Sequence, residues 1–133
     1  MIRDCKLIAE RNNVRFKFNS YFPIRSLNLM RGVLVAEEDN FKSYYIDNIF
    51  DAIWQDGLNM NDDNIILKVL KNLNINPKTF ALRATSSSIK DSLKKRTTEA
   101  YEKGIFGAPT FVSNNKLFWG QDRIEFVLKE ASK

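Results

Sequence analysis

The sequence has no histidine, a single cysteine and no long apolar run, and each absence excludes a class of function. Without histidine, Ser-His-Asp catalysis is excluded and a zinc site is disfavoured. Cys5 has no second cysteine to pair with, and its place on the apolar side of the first helical stretch predicts a small core residue. No segment is long enough to cross a membrane, and the first residues lack the apolar core of a signal peptide, which predicts a cytoplasmic location.

The composition is that of a globular protein with a modest basic charge. Hydrophobic residues make up 44% and charged residues 28% of 133 residues, enough for one domain with a sizeable core. The net charge of +5 comes from dispersed basic residues, and only Lys94-Lys95-Arg96 is contiguous. That triplet is typical of a solvated helix face, so we expect no nucleic-acid partner.

Apolar periodicity predicts helices over most of the first hundred residues. Asp39 and Asn76 are placed as helix caps, and Pro77 follows Asn76 at a first helical position. Val14 to Phe18 alternates apolar and basic residues, which predicts an extended segment with one buried face. The predicted helices run from Ile2 to Arg11, from Pro23 to about Glu38, from Asn40 to Asp56, and from Asn61 or Asp62 to Leu73. A short helix is predicted to begin at Asn76-Pro77, and a longer one to begin between Ser86 and Ser88 and to end at Gly104.

The stretch from Gly104 to Arg123 predicts a β-hairpin and organises the rest of the chain. Thr110 to Val112 forms one strand and Lys116 to Trp119 the other. Ser113 to Asn115 forms the turn between them, because asparagine tolerates the positive φ values of tight hairpins. A final helix follows the hairpin, with Ile124, Val127, Leu128 and Ala131 expected to face inward.

Pro109 should open the first strand, where its missing N–H is tolerated. Two states of the Ala108-Pro109 bond are compatible with the residues. A trans bond would give an ordinary entry to an edge strand. A cis bond would leave the N–H and C=O of Ala108 facing outward, where an extended peptide could pair with them.

The residues that follow the hairpin each have two interpretations. Gln121 and Asp122 start a helix, where free N–H groups favour a ligand carboxylate and an aspartate can pair with an amino group. Alternatively, Asp122 is simply the helix cap and Gln121 is exposed. Trp119 either walls a ligand cleft or packs in a core, and Arg123 either pairs within the helix or approaches a substrate carboxylate.

Three segments of the chain carry a resemblance to a known family. G-I-F-G-A-P-T-F-V followed by L-F-W-G-Q-D-R resembles the C-terminal part of the 2-hydroxychromene-2-carboxylate isomerases. These enzymes are relatives of the kappa-class glutathione transferases, in the DsbA-like branch of the thioredoxin superfamily. Arg3-Asp4-Cys5 and the spacing F-P-x-x-S-x-x-x-M-R from Phe22 to Arg31 resemble the helical insert of that family.

The resemblance covers essentially the whole chain and implies a partial α/β thioredoxin-like fold of the DsbA and kappa type. Residues 1–133 would form one partial domain, with 1–103 as the helical insert region and 104–133 as the closing β-β-α unit. The strand–helix–strand half that carries the family's catalytic serine, or CxxC, has no counterpart here, so no catalytic residue is assigned. The edge of Thr110 to Val112, which pairs with the first strand in that fold, would be bare, which predicts a homodimer or a separately supplied N-terminal half.

The resemblance also implies a cofactor and a reaction. The family uses glutathione for cis–trans isomerisation by reversible thiol addition to a small-molecule substrate. Ala108 and Pro109 would hold the cysteinyl part of glutathione, and Gln121 and Asp122 its γ-glutamyl end. The residues implied for the substrate cleft are Phe22, Trp119 and Arg123. Two alternatives remain: a fragment of a DsbA-like thiol oxidoreductase or glutathione transferase, and a catalytically inactive remnant that only binds partners.

Overall fold

The computed structural model describes residues 2–133, which are mostly helical with one β-hairpin. The chain divides into two compact units, Met1–Leu93 and Lys94–Lys133. Over the described residues, no helix combines the length and apolar character that a membrane crossing requires. The elements are α1 Ile2–Arg11, α2 Leu27–Glu38, α3 Lys42–Trp54, α4 Asp63–Asn72, α5 Pro77–Ala84, α6 Ser87–Glu102, β1 Thr110–Ser113, β2 Lys116–Trp119, a 3₁₀ turn Gln121–Arg123, and α7 Ile124–Ala131.

Two helix starts in the first unit follow directly from local sequence. The Asp62 carboxylate accepts a hydrogen bond from the Asn64 N–H at 2.8 Å and caps α4. The Asn76 side chain accepts from the N–H groups of the second and third residues of α5, and Pro77 occupies the first position. Both predicted starts are confirmed, because side-chain caps satisfy donors that the helix itself leaves unpaired.

Two other predicted starts are wrong. Helix α2 begins at Leu27, not at Pro23. Asp39 does not cap α3, which has no side-chain cap hydrogen bond at its start. The carboxylate of Asp39 instead pairs with Arg83 of α5, which also lies 2.7 Å from Glu38. The hydrogen bonds that Arg83 donates to Asp39 and then Glu38 raise the pKa of Arg83. Asp39 thus forms a long-range ion pair instead of a local cap.

The core of the first unit forms where α2, α3 and α5 pack together. Gly32 permits this contact, because a Cβ at that position would collide with the Tyr45 hydroxyl. Tyr45 is buried, which raises its pKa, and its hydroxyl donates to the Leu29 carbonyl at 3.2 Å. The buried apolar residues are Leu29, Leu34, Val35, Ala36, Tyr45, Ile49, Ala52, Ile53, Met60, Val69, Leu70, Phe80, Ala84 and Ile89.

The segment after α1 is extended but forms no strand. Its Lys17 N–H donates to the Trp54 carbonyl at 2.6 Å. The fully buried Asn19 donates from Nδ2 to the carbonyls of Ile53 and Leu58, both at 2.9 Å, and accepts from the Tyr21 N–H at 2.8 Å. One buried amide therefore ties this segment to the end of α3.

Helix α1 has the predicted bounds, but its apolar side does not enter a core. None of its residues is buried, and Cys5 is exposed. The prediction of Cys5 as a core residue is therefore wrong. The physical reason is that Ile2 and Cys5 line an open cavity, so this side of the helix has no close-packed neighbours.

The second unit contains the predicted hairpin. Strands β1 and β2 pair antiparallel, with Thr110 opposite Trp119 and Ser113 opposite Lys116. The two turn residues, Asn114 and Asn115, have φ values of 47° and 61°. The hairpin and the role of asparagine in its turn are confirmed.

Helix α7 contacts the hairpin through a carboxylate as well as through apolar groups. Glu130 is 9% exposed and accepts from Lys116 Nζ at 2.8 Å and Lys133 Nζ at 2.7 Å. Three predicted inward positions are wrong, since Ile124 and Leu128 are 45% and 65% exposed and Ala131 is exposed as well. The helix turns its Glu130 side, rather than a purely apolar stripe, toward the hairpin.

Candidate functional site

Four of the residues implied for glutathione binding meet at one end of the hairpin. The Pro109 carbonyl accepts from the Gly120 N–H at 2.9 Å, which extends the ladder one pair beyond the strands. This pairing brings Ala108 and Pro109 alongside the 3₁₀ turn that contains Gln121 and Asp122. The antiparallel register therefore joins two segments separated by more than ten residues in sequence.

The backbone from Ala108 to Val112 presents a free edge. The Ala108–Pro109 peptide bond is cis, which decides between the two states that the residues left open. Residues of an antiparallel pair alternate between bonding the partner strand and facing away from it. Since Pro109 bonds Gly120, the residue after β2, Thr110 and Val112 direct their N–H and C=O groups to the opposite edge. Within residues 2–133, the N–H and C=O of Ala108 make no hydrogen bond.

Gln121 and Asp122 are exposed at the start of the 3₁₀ turn that leads into α7. Gly120 precedes the turn, and no side chain caps it. One carboxylate oxygen of Asp122 lies 3.4 Å from Arg123 Nη1. The Arg123 guanidinium also lies 5.8 Å from the centre of the Phe126 ring. The turn thus offers backbone N–H groups, a carboxylate and a guanidinium within three residues.

Gly120 sets the direction of this turn. Its φ of 106° lies in a region that side chains disfavour, and an added Cβ would lie 2.5 Å from Asp122 Oδ1. Because residue 120 is a glycine, the backbone can turn directly after β2 and the Asp122 carboxylate can approach the Gly120 backbone.

Trp119 lies on what we call the open face of the hairpin, formed by Val112, Leu117 and Trp119. Thr110 pairs with Trp119 and Val112 with Leu117, so their side chains share one face. Val112, Leu117 and Trp119 are 55%, 43% and 55% exposed. The Trp119 ring lies against Gly107 and 5.1 Å from the ring of Phe106. The structure therefore places Trp119 on an exposed surface and not in a buried core.

Phe22 belongs to the first unit, where it joins an aromatic cluster. The peptide bond to Pro23 is cis, and the Phe22 ring lies 5.8 Å from Phe18 and 5.9 Å from Trp54. The sequence patterns did not single out Trp54, whose ring contacts those of Phe16, Phe18 and Phe22. The concentration of phenylalanines between residues 16 and 22 was the available signal for this cluster.

Comparison with known families defines the class of this protein. The DSBA-like thioredoxin domain matches residues 1–131. The chain therefore belongs to the DSBA-like thioredoxin family, and the expected DsbA-like thioredoxin fold is confirmed.

Within that family, the relatives found are isomerases. The 2-hydroxychromene-2-carboxylate isomerase of Sphingobium xenophagum is 24% identical over 127 residues, which cover 96% of this chain and 64% of that protein. The enzyme of the same name from Pseudomonas putida is 23% identical over 128 residues, covering 96% and 62%. These matches confirm the resemblance that the motifs carry.

A solved structure of 2-hydroxychromene-2-carboxylate isomerase shares the fold, with a TM-score of 0.82 at 22% identity. The likeness covers 97% of this chain and 62% of the solved one. The chain thus spans less than two thirds of the length of these relatives, which agrees with a partial fold.

Proposed function

We propose that this chain is the C-terminal portion of a glutathione-dependent isomerase that acts on compounds of the 2-hydroxychromene-2-carboxylate type. The reaction would be a cis–trans isomerisation by reversible thiol addition. The observation that carries the proposal is the Pro109–Gly120 hydrogen bond, which sets Ala108 and the turn of Gln121 and Asp122 at the same hairpin end, in a chain whose relatives bear the isomerase name. A cytoplasmic location remains part of this proposal.

The groups at the hairpin end fit the parts of glutathione. The free N–H and C=O of Ala108 can pair with the cysteinyl backbone as an added strand would. N–H groups at the start of the 3₁₀ turn favour the γ-glutamyl carboxylate, and the Asp122 carboxylate can accept from its amino group. When bound, glutathione would supply the thiol for reversible addition to the conjugated substrate. Trp119 and Arg123 would then border the substrate.

A second segment is needed to complete this site. Residues 2–133 offer no side chain to which we assign stabilisation of the thiolate. The free edge from Thr110 to Val112 and the open face beside it are suited to pair with a strand and receive an apolar helix. We infer that a strand–helix–strand segment of the kind seen in thioredoxin folds binds there, or that a second copy of this chain does so in its absence.

Glutathione binding can be tested on the chain by amide NMR. We expect glutathione to shift the amide signals of Ala108, Gln121 and Asp122. Asp122→Asn should weaken binding about tenfold, because a charge-assisted hydrogen bond is lost. Asp63→Asn, which changes an exposed acid at the start of α4, is the matched control. Equal affinity of both variants and the unchanged chain would contradict the assigned site.

Activity requires the completed assembly. The chain is mixed with the strand–helix–strand segment of an isomerase relative, and isomerisation is followed with and without glutathione. We expect turnover only when the chain, the segment and glutathione are all present. A folded and assembled pair that binds glutathione but shows no turnover would refute the isomerase proposal.

Self-association tests the free edge directly. Sedimentation at high concentration should show dimers or larger species of the isolated chain. Val112→Lys should shift them toward the monomer, because a charge beside an exposed edge opposes strand pairing. Leu82→Lys is the control, since Leu82 is 73% exposed on α5 of the first unit. A clean monomer of the unchanged chain would contradict the inference.

A further inference from the structure

The first unit contains an aromatic cavity that includes Phe22 and none of the residues at the hairpin end. Its walls include Phe16, Phe18, Phe22, Phe50 and Trp54, and its volume is about 460 Å³. Small-molecule sites typically measure about 300 to 1,000 Å³ and are lined mainly by apolar and aromatic side chains. The aromatic cavity therefore has the size and lining of a ligand site.

The rings of this cavity are already arranged against one another. Phe16 and Trp54 stack with 6.0 Å between ring centres and 23° between planes. Phe22 lies 5.9 Å from Trp54 at 42°, and Phe18 lies 6.1 Å from Trp54 at 49°. These spacings fall in the range of favourable aromatic pairs. Trp54 thus anchors an aromatic wall of the cavity.

The rim of the cavity carries one more negative than positive charge. Arg15 Nη2 lies 3.0 Å from a carboxylate oxygen of Asp56. The Asp51 carboxylate accepts a hydrogen bond from the Gln55 side chain. Gln55 is uncharged, so this hydrogen bond does not neutralise Asp51. The rim therefore opposes an anionic ligand, whereas a neutral ligand would meet mainly aromatic surface. Phe50 at the rim is 60% exposed, so the cavity is accessible from solvent.

We infer that the aromatic cavity binds a neutral, planar aromatic molecule of two or three fused rings. Planarity follows from the stacked wall, and a neutral rather than anionic ligand follows from the excess of carboxylates at the rim. All the residues concerned lie within Met1–Leu93. The inference therefore requires neither glutathione nor a completing segment, and it stands apart from the isomerase proposal.

The test uses N-phenyl-1-naphthylamine, a neutral fluorescent probe, with the full chain carrying Trp119→Phe so that Trp54 is the only tryptophan. We expect saturable binding at one site, with quenching of Trp54 emission by energy transfer to the probe. Cys5 lines the same cavity and is exposed, so bound probe should slow its reaction with a thiol reagent.

Variants distinguish this site from general surface binding. Phe50→Gln and, separately, Phe22→Leu should weaken probe binding about three- to tenfold, because an aromatic contact is lost. Phe106→Gln is the matched control, since Phe106 is a 78% exposed aromatic of the second unit. Circular dichroism verifies that each variant is folded.

Several outcomes would overturn the inference. Binding that does not saturate, or that is unchanged in both cavity variants, would exclude this site. Tighter binding of 1-naphthoate than of 1-naphthol would show that the ligand class is anionic. Probe binding that disappears as the chain self-associates would assign the surface to a second copy.

Discussion

The two compact units differ in what holds them together. Every buried apolar residue of the described chain lies between Leu29 and Ile89, within the first unit. In Lys94–Lys133, the buried side chain is a carboxylate, Glu130. Apolar burial thus stabilises the first unit, whereas the second depends on its strand ladder, its asparagine turn and one charged network.

This difference has a consequence for function. The hairpin end that gathers Ala108, Gln121 and Asp122 lies in the unit with little buried apolar surface. A two-stranded hairpin is marginally stable unless further strands or a helix cover it. Regions of low local stability are also those that order upon binding. We therefore expect the candidate site to become more ordered when ligand or a completing segment binds.

Removing a core ring from the first unit should give the largest effect. Phe80 is 6% exposed and lies 5.3 Å from Tyr45 and 6.4 Å from Phe41 between ring centres. Phe80→Ala should lower the free energy of unfolding by about 3–5 kcal/mol, because a cavity replaces the ring. Chemical denaturation followed by circular dichroism measures this. Leu82→Ala on the same helix is the exposed control, and an equal loss in both variants would contradict a core localised at Phe80.

A buried polar residue offers a second way to weaken the first unit. Asn19→Ala removes the side-chain donor to the Ile53 carbonyl and the acceptor for the Tyr21 N–H, while the Leu58 carbonyl keeps its bond from the Met60 N–H. The expected loss of unfolding free energy is about 1–3 kcal/mol, the cost of unpaired buried groups. Asn12→Ala removes an exposed side-chain hydrogen bond to Ile8 and should have little effect. If the two variants unfold alike, Asn19 does not tie the extended segment to α3.

The features predicted from sequence are those that neighbouring residues determine. Asn114 and Asn115 adopt the positive φ values that the hairpin requires. Asn76 caps α5, with Pro77 at its first position. The resemblance of the segment around Pro109 placed the hairpin in a thioredoxin-like fold. Each of these inferences depends on a few adjacent residues, whose conformational preferences persist in the folded chain.

The features that sequence reasoning missed depend on distant residues. Asp39 pairs with Arg83, forty-four residues away, instead of capping the adjacent helix. Hydrogen bonds from Asn19 to the Ile53 carbonyl and from the Lys17 N–H to the Trp54 carbonyl join two segments that are far apart in sequence, so no local pattern predicts them. In the site, the register pairs Pro109 with Gly120, and Arg123 lies near Asp122, which is one of the two options that the residues left open. Such partner choices are fixed by tertiary packing, which single-sequence periodicity does not describe.

A backbone change in the second unit should have a smaller and more local effect. Gly120→Ala forces a side chain onto a φ of 106°, at a cost of about 1 kcal/mol or somewhat more. Amide exchange of Phe111 and Phe118 in the hairpin should become faster, and glutathione binding should weaken. Glu125→Ala, an exposed change in α7, should leave both unchanged. Unaltered hairpin exchange in Gly120→Ala would show that the turn tolerates a side chain.

The charged network of the second unit should give the smallest effect, visible only in acid. Hydrogen bonds from Lys116 and then Lys133 lower the pKa of Glu130 from 4.5 to about 2. Because the folded pKa is the lower one, this stabilisation is complete above about pH 4.5 and is lost as the pH falls toward 2. Emission of Trp119 in a Trp54→Phe background should report loosening of the hairpin across this window.

Substitution separates Glu130 from the other carboxylates of the chain. Glu130→Gln keeps the side chain's size but cannot ionise, so the hairpin should be loosened already at neutral pH and should lose its pH dependence between about 4.5 and 2. Glu125→Gln, exposed on the same helix, should retain that dependence. If both variants titrate alike, the network is not what joins α7 to the hairpin. The apolar contacts of α7 would then stabilise the second unit, and the contrast between the two units would be one of degree.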